Sequence, residues 1–110
     1  MKIVNRATFL SMPAGTVYIA ASHPYAWGDI QIKDDTSGND WYYSDLTSID
    51  ADDSGDLVDR WEDMLNNVAS HPLDLETLSR DGMYEPDAIF MIYEKHELQE
   101  IADLFARLAK

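Results

Sequence analysis

The sequence contains no cysteine, which excludes disulfide bonds, zinc–thiolate sites and thiol catalysis. No apolar run approaches the roughly 18 residues that a membrane-spanning helix needs. The apolar stretches near the N-terminus are interrupted by Asn5, Arg6, Ser11 and Pro13, so we expect no signal peptide. With only five glycines, the chain shows no glycine-rich phosphate loop. These absences favour a cytoplasmic protein and exclude several kinds of active site.

Basic residues are also scarce. Eight lysines and arginines stand against 21 aspartates and glutamates, which gives a net charge of −13. Phosphate backbones and anionic membranes attract lysine and arginine, so this balance argues against direct nucleic-acid binding and against membrane binding. A basic protein surface or a cation is the partner that the charge predicts.

The negative charge is concentrated in one region. Residues 34–63 hold eleven acidic residues and a single base, Arg60, which gives this segment a charge of −10. The remaining 80 residues carry only −3. Because the imbalance is regional, it predicts a charged patch on the surface and not merely an acidic average.

Hydrophobic periodicity and turn residues predict a single compact α+β domain over residues 1–110. We expect a small antiparallel sheet of about four or five strands, packed with two main helices and a short N-terminal helix. Asn5 is placed to cap that first helix, and Asp53 or Ser54 to cap the second. The predicted helices cover 6–12, 56–69 and 94–110; the predicted strands are 16–22, the hairpin 28–46 with its turn at 34–40, 73–79 and 88–93; the predicted loops are 23–28 and 80–87.

Two apolar stripes at helical spacing predict the faces by which the longer helices pack on the sheet. The continuous apolar run at 88–93 is typical of a central strand buried on both faces. Alternation in the hairpin places Trp41 and Tyr43 on one face, which we expect in the core, and Tyr42 on the other. Any of these three rings, or Trp27, that is exposed would be an interface anchor. The helical stripes consist of Leu57, Val58, Trp61, Met64, Leu65 and Val68 in the middle helix, and Leu98, Ile101, Ala102, Leu104, Phe105 and Leu108 in the last.

One interpretation of the acidic segment is a calcium loop. Counting from Asp50, the third position is Asp52, the fifth is Ser54 and the sixth is a glycine, as in an EF-hand, and Asp56 follows. The twelfth position, however, is Trp61 where a bidentate glutamate is required. The segment before the loop also has the pattern of a strand and not of an entering helix. Asp50, Asp52, Ser54 and Asp56 are therefore candidate ligands of an incomplete site.

Two further interpretations remain open. The acidic residues are either a solvated helix face, stabilised near the helix N-terminus by its dipole, or a recognition surface for a basic groove on another protein. In the recognition interpretation the carboxylates imitate the phosphate row of a nucleic acid. The candidate partner-binding residues are Asp34, Asp35, Asp40, Asp50, Asp52, Asp53, Asp56, Asp59 and Asp63.

No catalytic constellation accompanies these acids. His23, His71 and His96 lack the spacing of metal ligands, and the segment "SGD" at 54–56 lacks the context of a nucleophile elbow. Acidic residues are so frequent that no pair of carboxylates indicates general acid–base chemistry. We therefore expect a protein that is not an enzyme and that uses no cofactor.

The first fifty residues resemble the start of small acidic proteins encoded by bacteriophages and prophages. The resemblance lies in "MKIVNR", the "FL" pair, "PAGT" and the aromatic hairpin with "NDWYYSDLTSID". Proteins of this kind are often accessory factors, and some are anti-CRISPR or other anti-defence inhibitors. The resemblance thus implies an inhibitor acting in the cytoplasm of a bacterial host, where it blocks a basic, nucleic-acid-binding site of a host or defence protein. It transfers no functional residues.

Overall fold

A computed structural model describes residues 1–22 and 26–110 of the chain. Within these residues the chain forms an α+β fold with six strands and three helices. The helices are α1 (Arg6–Leu10), α2 (Ser54–Asn67) and α3 (Lys95–Leu108). The strands are β1 (Lys2–Asn5), β2 (Val17–Ser22), β3 (Ala26–Ser37), β4 (Asp40–Asp45), β5 (Ser79–Arg80) and β6 (Ile89–Ile92).

The six strands form one antiparallel sheet in the order β1-β6-β2-β3-β4-β5. The predicted hairpin is confirmed as β3 and β4, but its turn is tighter than expected, because residues 34–37 continue β3 past a register shift. Residues 23–25 of the predicted loop lie outside the described residues, and Ala26–Gly28 begin β3.

The strand count exceeds the prediction because of β1. This four-residue strand is too short to show a period in the sequence, and only its pairing with β6 makes it a strand. The expected strand at 73–79 is mostly irregular: it contributes Ser79 to β5 and an isolated bridge between Ile49 and Leu73.

The predicted caps of α1 and α2 are confirmed, and a further local signal begins α3. The Asn5 side chain accepts a hydrogen bond from the Thr8 backbone at 2.9 Å, which caps α1. Asp53 caps α2, accepting from the Asp56 backbone at 2.8 Å. A capping box between Glu94 and Glu97 begins α3. Capping depends on residues within one turn of each other, so sequence alone identifies it.

The core is a compact group of aromatic rings on one face of the sheet. Phe9 of α1 stacks on Phe90 of β6 at 4.0 Å between ring centroids and meets Tyr18 and Trp41 edge-on. The indole Nε1 of Trp41 donates to the Tyr18 hydroxyl at 3.0 Å, so neither polar atom is buried without a partner. Burial raises the pKa of Tyr18. Ile92 completes the buried cluster.

Two cations are buried beside these rings. Lys33 donates through Nζ to the carbonyls of Met12 and Asp34 at 2.9 and 3.0 Å and to Thr36 Oγ1 at 2.8 Å, and burial lowers its pKa. The Arg6 guanidinium lies 5.1 Å from the Trp41 ring centroid. Because the core hides two of the eight bases, the rest of the chain is more acidic than the total charge suggests.

The prediction that the two long helices pack by their apolar stripes is wrong. No residue of α2 or α3 is buried, and in the described part of the chain neither helix packs on a strand as α1 does. The radius of gyration is 16.1 Å, against about 13 Å for a compact chain of this length. Within the described residues the two stripes are at most partly covered, which a sequence pattern cannot reveal.

The apolar run at 88–93 is central in the sheet but is not buried on both faces. Phe90 and Ile92 point into the aromatic core, whereas Ile89 and Met91 lie on the opposite face and remain partly exposed. None of the helices in residues 1–22 and 26–110 combines the length and the hydropathy of a membrane span.

Candidate functional site

The α2 lobe, which we define as residues 50–72, contains the densest group of acidic residues. Its two ends are joined by the Ile49–Leu73 bridge and by a hydrogen bond from the Asp50 backbone N–H to the Pro72 carbonyl at 2.8 Å. Between these ends the sequence holds seven acidic residues and one arginine, which gives a charge of −6 with histidine neutral. The lobe thus leaves and rejoins the rest of the fold at one point, and it carries almost half of the net charge.

The start of α2 holds its carboxylates in an ordered arrangement. Asp56 Oδ2 accepts from the Asp52 backbone at 2.9 Å and from Arg60 Nε at 3.0 Å. Arg60 also reaches Asp50 Oδ2 through Nη1, at 3.6 Å. The bond from the Asp52 backbone, followed by the nearby Arg60 charge, lowers the pKa of Asp56. Arg60 therefore neutralises part of the lobe while it fixes the position of two carboxylates.

A second ordered carboxylate lies at the other end of the helix. Asp63 accepts from Asn67 Nδ2 at 2.8 Å and is 2.8 Å from His71 Nε2. These two contacts lower the pKa of Asp63, the Asn67 bond being the stronger cause. They also tie the helix to the segment that returns to the sheet.

The other acids of the lobe are unneutralised. Asp52, Asp59 and Glu62 are exposed, and their carboxylates form no ion pair with any residue that the structure describes. Asp53 is exposed as well, although its side chain caps the helix. These four side chains supply the accessible charge of the surface.

An apolar groove lies alongside this charge. It has a volume of about 640 Å³ and runs between α2 and the bridged segment, with Ile49, Leu57, Trp61 and Met64 among its lining residues and Asp53 at its rim. Trp61 is 56% exposed, so its ring is available to another molecule. An apolar centre with a polar rim is the usual anatomy of a protein–protein contact, in which tryptophan is a frequent anchor.

The acids of the hairpin do not join this surface. Asp34 and Asp35 lie on β3 near the hairpin turn, whereas α2 follows the opposite end of β4, about 17 Å away along a six-residue strand. Asp34 and Asp35 are therefore separated by the length of β4 from the start of the segment that carries the six candidate aspartates of the lobe.

Asp40 is not a surface residue at all, and the expectation that it contributes exposed charge is wrong. Its carboxylate is fully buried and accepts from Arg80 Nε at 2.6 Å and from the Gly82 backbone at 3.2 Å. Burial opposes ionisation, but these bonds together hold the pKa of Asp40 below its usual range. Asp40 joins β4 to β5 and the loop beyond it, which is a structural role.

The geometry does not favour the calcium interpretation. Arg60 already occupies the space between Asp50 and Asp56, and Asp52 meets Asp56 through its backbone. In the described residues, the group of three or more potential ligand atoms that come within 4.8 Å of one another belongs to Glu94, His96 and Glu97. There Glu97 Oε1 accepts from the N-terminal ammonium at 2.6 Å and from the Glu94 backbone at 3.0 Å, so helix capping accounts for the group.

Sequence reasoning missed the two arginines that organise these acids. Arg60 lies one helical turn after Asp56, a spacing that indicates an ion pair. The contact of Arg80 with Asp40 spans 40 positions and depends on the pairing of β4 with β5, so no local signal reveals it. Neither a scan against protein-family models nor searches of curated proteins and of solved structures gives a match to this chain.

Proposed function

We propose that the chain is a non-enzymatic binding protein whose α2 lobe docks on a basic surface of another protein. One observation carries this proposal: a lobe of charge −6, on which Asp52, Asp59 and Glu62 are exposed, also holds an apolar groove with an exposed tryptophan and with Asp53 at its rim. Arginine and lysine side chains of a partner complement the carboxylates of the lobe, and the groove receives an apolar side chain.

The distribution of the bases supports this choice of partner. Arg6 and Lys33 are buried, and Arg60 and Arg80 are paired with aspartates. The remaining four bases, Lys2, Lys95, Arg107 and Lys110, lie on β1 or in the segment of α3. The α2 lobe therefore presents one sign of charge, which steers a basic partner toward it and repels an acidic one.

In the form that the phage resemblance implies, the partner is a host or defence protein that binds nucleic acid, and the lobe competes for its phosphate-binding groove. Such competition is steric and electrostatic and needs no chemical step. Association is fast at low ionic strength and slows as salt screens the two surfaces.

The test begins with capture of partners from a bacterial lysate on the immobilised chain, at low and at high salt. The purified partner is then titrated with a lobe variant, D52K/D59K/E62K, and with a matched control, D29K/D87K/E100K, which makes the same charge change at exposed sites outside the lobe. We expect the lobe variant to bind at least about 100-fold more weakly, since three favourable charge contacts become repulsive, and the control to bind nearly as the unaltered chain does.

Competition by double-stranded DNA separates mimicry of nucleic acid from other uses of a basic surface. If DNA displaces the chain from the captured protein, the lobe occupies a nucleic-acid site. Equal affinities for the lobe variant and its control would refute the proposed site.

A further inference from the structure

The sheet has one covered and one open face. α1 and the aromatic core cover the first. On the second, Ile3, Met91, Ile19 and Ile30 lie side by side in register across β1, β6, β2 and β3. Paired residues of an antiparallel sheet share a face, so these four form a continuous apolar row. Ile3 is 56% exposed, and no described helix packs on this row.

This open face avoids charge. Charged residues make up 26% of the chain, yet none stands at the seven positions that register and alternation place on this face of β1, β2 and β6. On β4 the face includes Asp40, which is buried. Depletion of charge at the centre is what distinguishes an interface from ordinary surface. The seven positions are Ile3, Asn5, Val17, Ile19, Ala21, Ile89 and Met91, and Ile30 and Ile32 continue the face on β3.

α3 also has an apolar surface that is not covered. Leu98, Ile101, Leu104, Phe105 and Leu108 form an apolar stripe on it, and the last three are exposed. A lone helix of 14 residues is only marginally stable in water, and a sheet and a helix become stable by burying their apolar faces. The described residues thus include an open sheet face and a helix stripe that is exposed over its C-terminal half, and the helix does not pack along the apolar row.

We infer that the open sheet face and the apolar stripe of α3 form the interface of a homodimer. Spaced about 4.8 Å apart, β1 and β6 are about 13 Å long and pair beside about 20 Å of β2 and β3, so the four strands present roughly 320 Å². A 14-residue helix adds roughly 210 Å² at 1.5 Å per residue and about 10 Å width. Each copy then buries roughly 530 Å² in flat projection, and the pair just exceeds the roughly 1,000 Å² that a specific interface requires.

A second copy fits this surface better than a different protein does. The apolar row of Ile3, Met91, Ile19 and Ile30 offers no charge by which a basic partner could be selected, whereas a two-fold interface requires only that the face match itself. The acidic residues of the α2 lobe lie outside this row, so two strongly acidic chains associate through neutral surfaces. This interface is independent of the proposed function, because it uses none of the lobe residues.

Sedimentation equilibrium of the full chain, over a range of concentrations, tests the dimer. We expect the unaltered chain to sediment as two copies of 12.5 kDa. Ile3→Glu and Phe105→Glu each place a charge in the interface, and we expect each to weaken association at least about 100-fold. Both residues are more than half exposed in a single chain, so folding should survive, which circular dichroism verifies.

Asn66→Glu, on an exposed position of α2, makes the same charge change outside the interface and should leave the dimer intact. An unaltered chain that remains monomeric at hundreds of micromolar would overturn the inference. So would a dimer that both interface variants leave as strong as the control. Loss of partner binding in the lobe variant has no bearing on either outcome, so the two proposals fail separately.

Discussion

Replacing Asp40 with asparagine should destabilise the fold by about 2–3 kcal/mol, and the reason lies in the two donors that its carboxylate binds. The buried carboxylate accepts from Arg80 Nε and from the Gly82 backbone, and its pKa is held below the usual value of 3.8. A hydrogen bond to a charged group contributes about 1.5–3 kcal/mol. The Arg80 side chain is 51% exposed, so water can replace much of the hydrogen bond that the substitution removes from it. We therefore assign this bond a contribution at the lower end of that range. Asparagine keeps the shape and one acceptor but turns an N–H toward a donor.

Urea unfolding followed by tryptophan fluorescence measures this loss. A change of 2–3 kcal/mol corresponds to a fall of about 1–2 M in the midpoint for a small domain, with the slope unchanged. Asp35→Asn is the matched control, because Asp35 is an exposed aspartate near the same hairpin turn, and it should change stability by less than about 0.5 kcal/mol. An effect of Asp40→Asn as small as that of the control would refute the assignment of Asp40 as a buried anchor.

The pH dependence adds an independent check. The folded-state pKa of Asp40 is depressed, so its contribution to stability is complete above the unfolded-state value of 3.8 and is lost as the pH falls through the folded-state value. The difference between the unaltered chain and Asp40→Asn should therefore narrow below about pH 4. A constant difference down to pH 2 would show that another property of the substitution causes the destabilisation.

Two further substitutions test the buried lysine and the end of α2. Burial lowers the pKa of Lys33, so the unfolded chain binds more protons just below the usual value of 10.5, and the stability of the unaltered chain should rise as the pH approaches that value. Lys33→Met should remove that rise, which is measured as the urea midpoint of unfolding at each pH. An equal rise of the midpoint with pH in both proteins would contradict the reasoning. Val68, which ends α2, is a β-branched residue at φ 53° and 89% exposed, so Val68→Gly should relieve about 1 kcal/mol of backbone strain. Slower amide hydrogen exchange in α2 is the expected result, and faster exchange would exclude a strained cap.

The features that the sequence predicts well are those set by neighbouring residues. Asn5 and Asp53 cap helices because their side chains reach a backbone three positions later. Alternation in β4 places Trp41 in the core and Tyr42 on the opposite, accessible face, as expected. In each case the physical cause lies within a few residues, and the pattern contains it.

What the sequence could not predict depends on distant segments. β1 exists only through its pairing with β6, almost 90 positions away. Asp40 is one acid among many until β5 brings Arg80 to it. The stripe of α2 follows the rule for a core helix, but a pattern specifies which side of a helix is apolar and not what meets it. For the candidate site, the charge of the lobe could be predicted from composition. The separation of the lobe from Asp34 and Asp35 could not, because it depends on the position and length of β4.

The burial of Lys33 also determines how the protein can be handled. Of the four lysines, the other three, Lys2, Lys95 and Lys110, are exposed and lie on β1 or in the α3 segment. Amine-reactive chemistry therefore attaches the chain to a dye or a sensor surface through that part of the molecule. The α2 lobe contains no lysine, so this coupling leaves the side chains of its acidic groove unmodified.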